Sequence, residues 1–395
     1  MKRVLFILIT LSFVFTASAK DSTTVKKWAV NGYVSYMSSY MQSDLMSIET
    51  MDNNLHNRIN IDWYPTSKLT GTLQLRNRFF IGDQMRADSM NLQKEEMEKD
   101  IMALNLVQGN MFVLNSMIDR LNFKYSVNKL DVTLGRQRIN WGQTFVFNAN
   151  DIFNAYSFVD FDYPERPGSD AVRIQYYPSF TSTIEAAVKY TNDSTITAAA
   201  LTRFSKWGYD IQFMGGLYNS REWVVGGGWS GNIKSVSFSG ELTYLHPNKN
   251  FKDASGLFFA SANLNYSFSN SLMLQGEVFY NQYLANNNLS FIDLMSANQD
   301  IKTLSLSELT YFGSIAYPIT PLINANISCM YYPDINGVLI FPSFDFSLSD
   351  DIKLSLIAMY FKGDFQFPNP PMVDLPSFIA TGELFMGFLR LKYGF

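Results

Sequence analysis

The feature that most constrains this chain is a period of two. From residue 26 onward, apolar and polar side chains alternate through segment after segment, with little sign of the 3.6-residue period of an amphipathic helix. Leu69, Leu73, Leu75 and Phe79 alternate with Thr70, Thr72, Gln74, Arg76 and Arg78. Phe258, Ala260, Ala262, Leu264, Tyr266 and Phe268 alternate with Asn263, Asn265 and Ser267. Wound into a helix, such a pattern scatters its apolar side chains around the cylinder; in a strand it gathers them on one face.

About 18 such segments can be counted, and their connections sort by length in strict alternation. Every second connection is short and carries turn chemistry, as in Pro65-Thr66-Ser67-Lys68, Lys206-Trp207-Gly208 and Ser269-Asn270. The long gaps, 39–53, 82–116, 138–169, 284–306 and 362–380, all fall in the other class. A sandwich has no reason to sort its loops this way, whereas a transmembrane barrel does. The expected fold is therefore all-β: a transmembrane antiparallel β-barrel of about 18 strands with long extracellular loops and short periplasmic turns.

Composition removes the alternatives. Hydrophobic residues make up 47% of the 395, yet no run of about 20 apolar residues follows the first 20 positions, so a helical membrane protein is excluded. The 15% aromatic content excludes disorder. A formal net charge of -4 argues against a nucleic-acid partner. Cys329, the one cysteine, forbids an internal disulfide and reads as a small lipid-facing hydrophobe beside Ile327.

The N-terminus reads as a secretory signal peptide, residues 1–19: basic Lys2 and Arg3, an apolar stretch from Val4 to Phe15, and Ala17-Ser18-Ala19 at the cleavage site. Residues 20–395 are then a single barrel domain. At the other end Phe385, Leu389, Leu391, Tyr393 and Phe395 share one face of the last strand. An aromatic final residue on an alternating strand resembles the C-terminal signal of Gram-negative outer-membrane barrels. That resemblance implies that Phe395 serves assembly by the outer-membrane barrel machinery, in a bacterial outer membrane of lipid and lipopolysaccharide.

With the lipid face fixed by its apolar side, alternation sends the polar residues inward. Arg58, Arg76, Arg78, Arg120, Lys124 and Arg173 are the expected pore-lining cations of one arc, with His56 among them. Glu241, Glu277, Glu308 and Asp345 face them from the other, and Lys353, Arg390 and Lys392 lie near the seam. A field across the pore, from a basic to a weakly acidic wall, favours anionic solutes. A helix-like stretch, Asn91 to Leu106, carries the charged run 94–100, read as a solvated face without metal-ligand spacing.

Residues 135–171 break the monotony. Gly135 and Gly142 permit sharp bends, and Asn148, Asn150, Asp151 and Asn154 favour local hydrogen bonds that stiffen a loop. Segment 138–169 is expected to fold against or into the pore as a constriction loop, with Arg136, Arg138, Trp141, Asn150 and Asp151 as its site residues. The motif Gly135-Arg136-Gln137, Trp141-Gly142, Asn150-Asp151 and Pro167-Gly168 resembles the alginate-export-type and related porin-like outer-membrane barrels. The resemblance covers about a tenth of the chain at motif level. It implies a monomeric 18-stranded pore for anionic or polar solutes with an arginine-rich lumen.

Nothing points to an enzyme. The two histidines, His56 and His246, have no evident nucleophile partner, and there is no Gly-x-Ser-x-Gly, metal-binding His pair or phosphate-cradling loop. No cofactor or metal is expected. Gly226-Gly227-Gly228 lies inside a strand pattern, where it relieves crowding or curves the wall. The leading reading is a porin or channel for small polar solutes. The alternatives are an exporter or importer of an acidic polymer, and a loop-plugged barrel acting as a surface interaction protein.

Overall fold

The computed structural model describes residues 26–44, 47–83, 100, 102–156, 158, 165, 166, 168–191, 193–249, 251–287, 289, 300–367 and 378–395. The signal peptide, Pro167 and the run 94–99 lie outside them. In chain order the strands are β1 (Trp28–Ser43), β2 (Ile48–Thr66), β3 (Leu69–Gly82), β4 (Ala103–Gln108), β5 (Phe112–Val127) and β6 (Leu130–Gln137). Then follow β7 (Ser169–Ser179), β8 (Ser182–Tyr190), β9 (Ile196–Lys206), β10 (Tyr209–Tyr218), β11 (Glu222–Ile233) and β12 (Val236–Pro247). The last are β13 (Leu257–Ser267), β14 (Met273–Asn281), β15 (Leu309–Thr320), β16 (Ile323–Tyr332), β17 (Gly337–Ser347), β18 (Ile352–Phe367) and β19 (Phe378–Gly394).

Every strand pairs antiparallel with its neighbour, and β19 pairs back onto β1, so all but β4 form a closed 18-strand ring. Closure leaves no edge. The final residue takes part: the Phe395 amide donates to the Gly32 carbonyl (3.0 Å), and the Gly32 amide donates to the Phe395 carbonyl (2.9 Å). A Cβ at Gly32 would lie 2.8 Å from the Phe395 ring, so glycine is what admits that ring to the wall. The outer surface is apolar along the strands. Tyr36, Leu264, Ile315, Ile327, Leu389 and Tyr393 are among its exposed side chains, as a lipid-facing belt requires.

The wall is uneven in height. β1, β2, β3, β5, β18 and β19 run 14 to 19 residues, whereas β6 to β17 run 8 to 12. β4 fills the step between them. The pairing of β6 with β5 ends with Arg136 opposite Leu121, and β4 begins with Ala103 opposite Met117 on the same side of β5. The expected helix over 91–106 is thus corrected at its end, where Ala103–Gln108 is strand. The gap 39–53 is also mostly strand, because β1 and β2 extend to within four residues of each other. Polar residues near the loop end had hidden this continuation.

Alternation fails at one informative place. Gln74 pairs with Arg120 and Leu75 with Ile118, so Asp119 is an extra residue at a β-bulge. Asp119 and Arg120 both end up inside, buried. Strict alternation had sent Asp119 to the lipid.

Candidate pore and its inserted segment

The interior divides into two arcs. The basic arc comprises β18, β19, β1, β2, β3 and β5. Across it Lys353 lies opposite Lys392, Lys392 opposite Ser35, Ser35 opposite His56 and His56 opposite Arg78. The next row puts Tyr33 opposite Arg58, and Arg58 opposite Arg76. The bulged Asp119 sits between two of these cations. It is ion-paired with Arg58, and Arg76 Nε lies 3.2 Å from its other oxygen. Arg58 also donates to Gln74 (2.6 Å) and Asn60 (3.0 Å). Glu165 adds a second carboxylate, 3.8 Å from Arg58 Nε, and these bonds together sustain the burial of the two guanidinium groups.

The six pore-lining cations expected from the sequence therefore stand inside the barrel, but not as a bare wall. Arg120 donates to the backbone carbonyls of Glu165 and Arg166, each at 2.9 Å, and clamps the returning end of the 138–168 connection. Lys124 pairs with Asp131 (2.7 Å) and Arg173 with Glu185 (2.7 Å). Arg78 stacks its guanidinium 5.2 Å from the Phe80 ring. On β19, Lys392 has its ammonium 3.7 Å from the face of Tyr33, and no carboxylate lies within ion-pair distance among the described residues.

The second arc, β7 to β17, holds the inserted segment. Gly135 has φ +111°, a conformation open to glycine, and β6 stops two residues later. The chain then crosses into the barrel. Ile139, Trp141, Phe147, Ala149, Ile152 and Phe153 are all buried there. They pack on inward-facing Val224, Leu245, Phe259, Phe279, Phe312 and Tyr332 of the wall. Phe147 stacks on Phe279 at 4.9 Å, and Trp141 meets Phe153 edge-on at 4.8 Å. Ile301, Leu304 and Leu306, before β15, join the same cluster. At the level of the segment this half of the lumen is filled by apolar side chains.

A chain without a ladder must place its peptide N–H groups somewhere. Two wall carboxylates take them. Glu241 accepts from the amides of Gln143, Thr144 (3.0 Å) and Asn150 (2.8 Å). Glu277 accepts from Phe145 (3.2 Å), Val146 (2.9 Å) and Phe147 (2.7 Å). Glu185 accepts from the Trp141 indole at 2.7 Å. Asn150 donates to the Gly227 carbonyl (2.9 Å) and accepts from Thr243 (2.8 Å). A Cβ at Gly226 would meet Asn150 Oδ1 at 2.6 Å, and one at Gly228 would meet Gln143 Oε1 at 2.6 Å. Gly226 and Gly228 thus make the seat, and Gly227 lends it a carbonyl. The expected field from a basic to an acidic wall is corrected here, because Glu241 and Glu277 are turned to the segment and not to the solute path.

Of the other residues expected at a constriction, Arg136 stands at the foot of the segment and Asp151 follows Asn150 within it. Arg136 holds Asp170 with two bonds (2.8 and 2.6 Å) and Asp100 with one (2.7 Å). Asp151 is fully buried, and neither carboxylate oxygen has a hydrogen-bond partner. The cations that act on it are Arg138 and Arg166 of its own connection and Lys189 of β8. Burial pushes the Asp151 carboxyl up to about 6, against the pull of those cations. Arg166 lies with its guanidinium 3.0 Å from the Tyr156 ring.

No family model and no curated relative matches the sequence. Solved structures do match it along nearly the whole chain. OccAB1 of Acinetobacter baumannii has a TM-score of 0.56 at 8% identity, covering 92% of this chain and 96% of that one. OccK5 (OpdH) of Pseudomonas aeruginosa also has a TM-score of 0.56 at 8% identity, covering 92% and 97%. OccAB2 of A. baumannii has a TM-score of 0.55 at 10% identity, covering 93% and 98%. The fold is that of an outer-membrane porin. At such identities the likeness is one of architecture, and the residues of the porin fold described above are this chain's own.

Two kinds of functional residue escaped the sequence. Asp119 left a trace: two adjacent charges, Asp119-Arg120, in an alternating strand force one of them toward lipid unless a bulge intervenes. The apolar part of the second arc left another. Toward their loop ends several strands become apolar on both faces, as in Trp223-Val224-Val225 and Met330-Tyr331-Tyr332, which a water-filled lumen does not require.

Proposed function

We propose that this chain is an outer-membrane channel that passes small polar solutes along its basic arc, with a preference for anions. The observation that carries the reading is a pair of inward lysines set opposite each other on β18 and β19, Lys353, which Asp345 holds at 3.1 Å, and Lys392. Like charges set directly opposite each other destabilise a sheet. A solute anion crossing between them offsets that cost, and field focusing by the low-dielectric wall strengthens the effect. Lys392, with no carboxylate partner among the described residues, is the residue best placed to act on a solute. Arg58, Arg76 and Arg120 serve first to build the wall and clamp the inserted segment.

The test is the reversal potential in a salt gradient across planar bilayers. The parent should favour anions, and Lys353→Gln with Lys392→Gln should move the potential toward cations. An unchanged potential removes the basic arc from selection. The filled second arc favours one other reading, a barrel plugged by its own chain; absence of single-channel conductance in the parent selects it.

The same reading takes residues 1–19 as a cleaved signal, a monomer in lipid and lipopolysaccharide, and assembly by the barrel machinery through Phe395. Deleting Phe395 removes its ring from the Gly32 notch and should lower the yield of heat-modifiable barrel. Kinship with the alginate-export-type barrels rests on the 135–168 motif, whose Gly135, Trp141 and Asn150 lie where the chain bends and seats.

A further inference from the structure

A fully buried carboxyl with no hydrogen-bond partner is costly, and it is rarely kept without a consequence. Asp151 is such a group, and it stands on the connection that enters the lumen after β6. The groups that act on it come from three elements: Arg138, Tyr156 and Arg166 of the connection itself, Lys189 of β8 and Glu241 of β12. They do not satisfy it. Lys189 spends its ammonium on the Phe153 carbonyl at 2.7 Å, and Arg166 lies on the Tyr156 ring. The Trp141 backbone also acts on the carboxyl, and burial outweighs it. The nearest acid, Glu241, is itself committed to three peptide amides.

We propose that Asp151 is a proton-operated pin, so that the inserted segment sits more firmly in the barrel when this carboxyl is protonated than when it is charged. Seated, the side chain is fully enclosed by protein. Displaced, it is solvated and ionises normally. Its seated value of about 6 lies above the ordinary 3.8, so the seated form binds the proton more tightly. Seating is therefore strengthened as pH falls through 6 toward 4, and this added firmness is lost as pH rises above 6. Between pH 7.5 and pH 5 the displaced population should fall about tenfold. Under the channel reading, openings that need the segment out of its seat become rarer in acid. The seating itself does not depend on that reading and is measured without current.

Ala149 is fully buried beneath the segment, so a thiol placed there reacts only on displacement. The experiment compares maleimide labelling of the full-length barrel carrying Ala149→Cys and Cys329→Ala, with and without Asp151→Asn. The ratio of the two rates at one pH cancels the thiol's own chemistry. The parent-to-variant ratio should fall about tenfold from pH 7.5 to pH 5. A constant ratio overturns the proposal, as does labelling of both proteins at the rate of the denatured chain. Should Asp151→Asn not yield heat-modifiable barrel, labelling of Ala149→Cys relative to its own denatured form should show the same fall. No fall there also overturns it.

Discussion

The two arcs of this lumen obey the same alternation and do opposite things with it. On the basic arc the inward positions are Lys353, Lys392, His56, Arg58, Arg76 and Arg78, on tall strands. On the second arc they are Val224, Leu245, Phe259, Phe279, Phe312 and Tyr332, on short ones, with Glu241 and Glu277 below them. Charges on the first arc pair with one another and leave an excess. The apolar part of the second arc is covered by the chain's own segment. An inward position in a barrel is thus not a pore position until it is known what stands against it. The acids show this best: their charge goes to six peptide amides and not to a field across the pore.

The largest effect should come from emptying the second arc. Glu241→Ala with Glu277→Ala strips six amides of their acceptors, and each buried amide left unbonded costs about 1–3 kcal/mol. The segment should leave its seat and single-channel conductance should rise several-fold. Unchanged conductance means that the segment does not limit flow. Next is Trp141→Ala, which removes a fully buried indole at a cost of about 3–5 kcal/mol. It should expose 139–153 to proteases in the folded barrel while the strands stay protected; equal resistance to the parent's would show that packing there is dispensable. Smaller again is Asp119→Asn on the basic arc. It removes the carboxylate shared by Arg58 and Arg76 and should strengthen anion preference while lowering the thermal stability of the barrel. A shift toward cations would contradict the triad. The smallest is Asn150→Ala, which loses two side-chain bonds worth about 0.5–1.5 kcal/mol each. It should raise the frequency of brief large openings without changing ion preference.

How much of this was legible in the residues differs between the arcs for a physical reason. Alternation and loop lengths expose the strand count, because each lipid-facing side chain must be apolar whatever lies inside. Arg58, Arg76 and Arg78 follow directly, since a charge on a central strand has only one tolerable direction. What stands opposite an inward residue is set by contacts between positions about a hundred residues apart, such as Thr144 with Glu241, and no local period encodes those. Trp141, Asn150 and Asp151 were recognisable as unusual for a loop, but not that Glu185 would hold Trp141 or that Asp151 would be left without a partner.

The claim on which the rest depends is that solutes travel along the basic arc while the second arc is closed to them. Substituted thiols read this directly. In a Cys329→Ala background, Lys392→Cys and Thr243→Cys place one thiol on each arc, the second beneath Asn150. A bulky methanethiosulfonate reagent is added to a single conducting channel, and the current is compared before and after. The account predicts a stepwise loss of current through the Lys392→Cys channel and no change through the Thr243→Cys channel. Block at position 243 with none at 392 would contradict it.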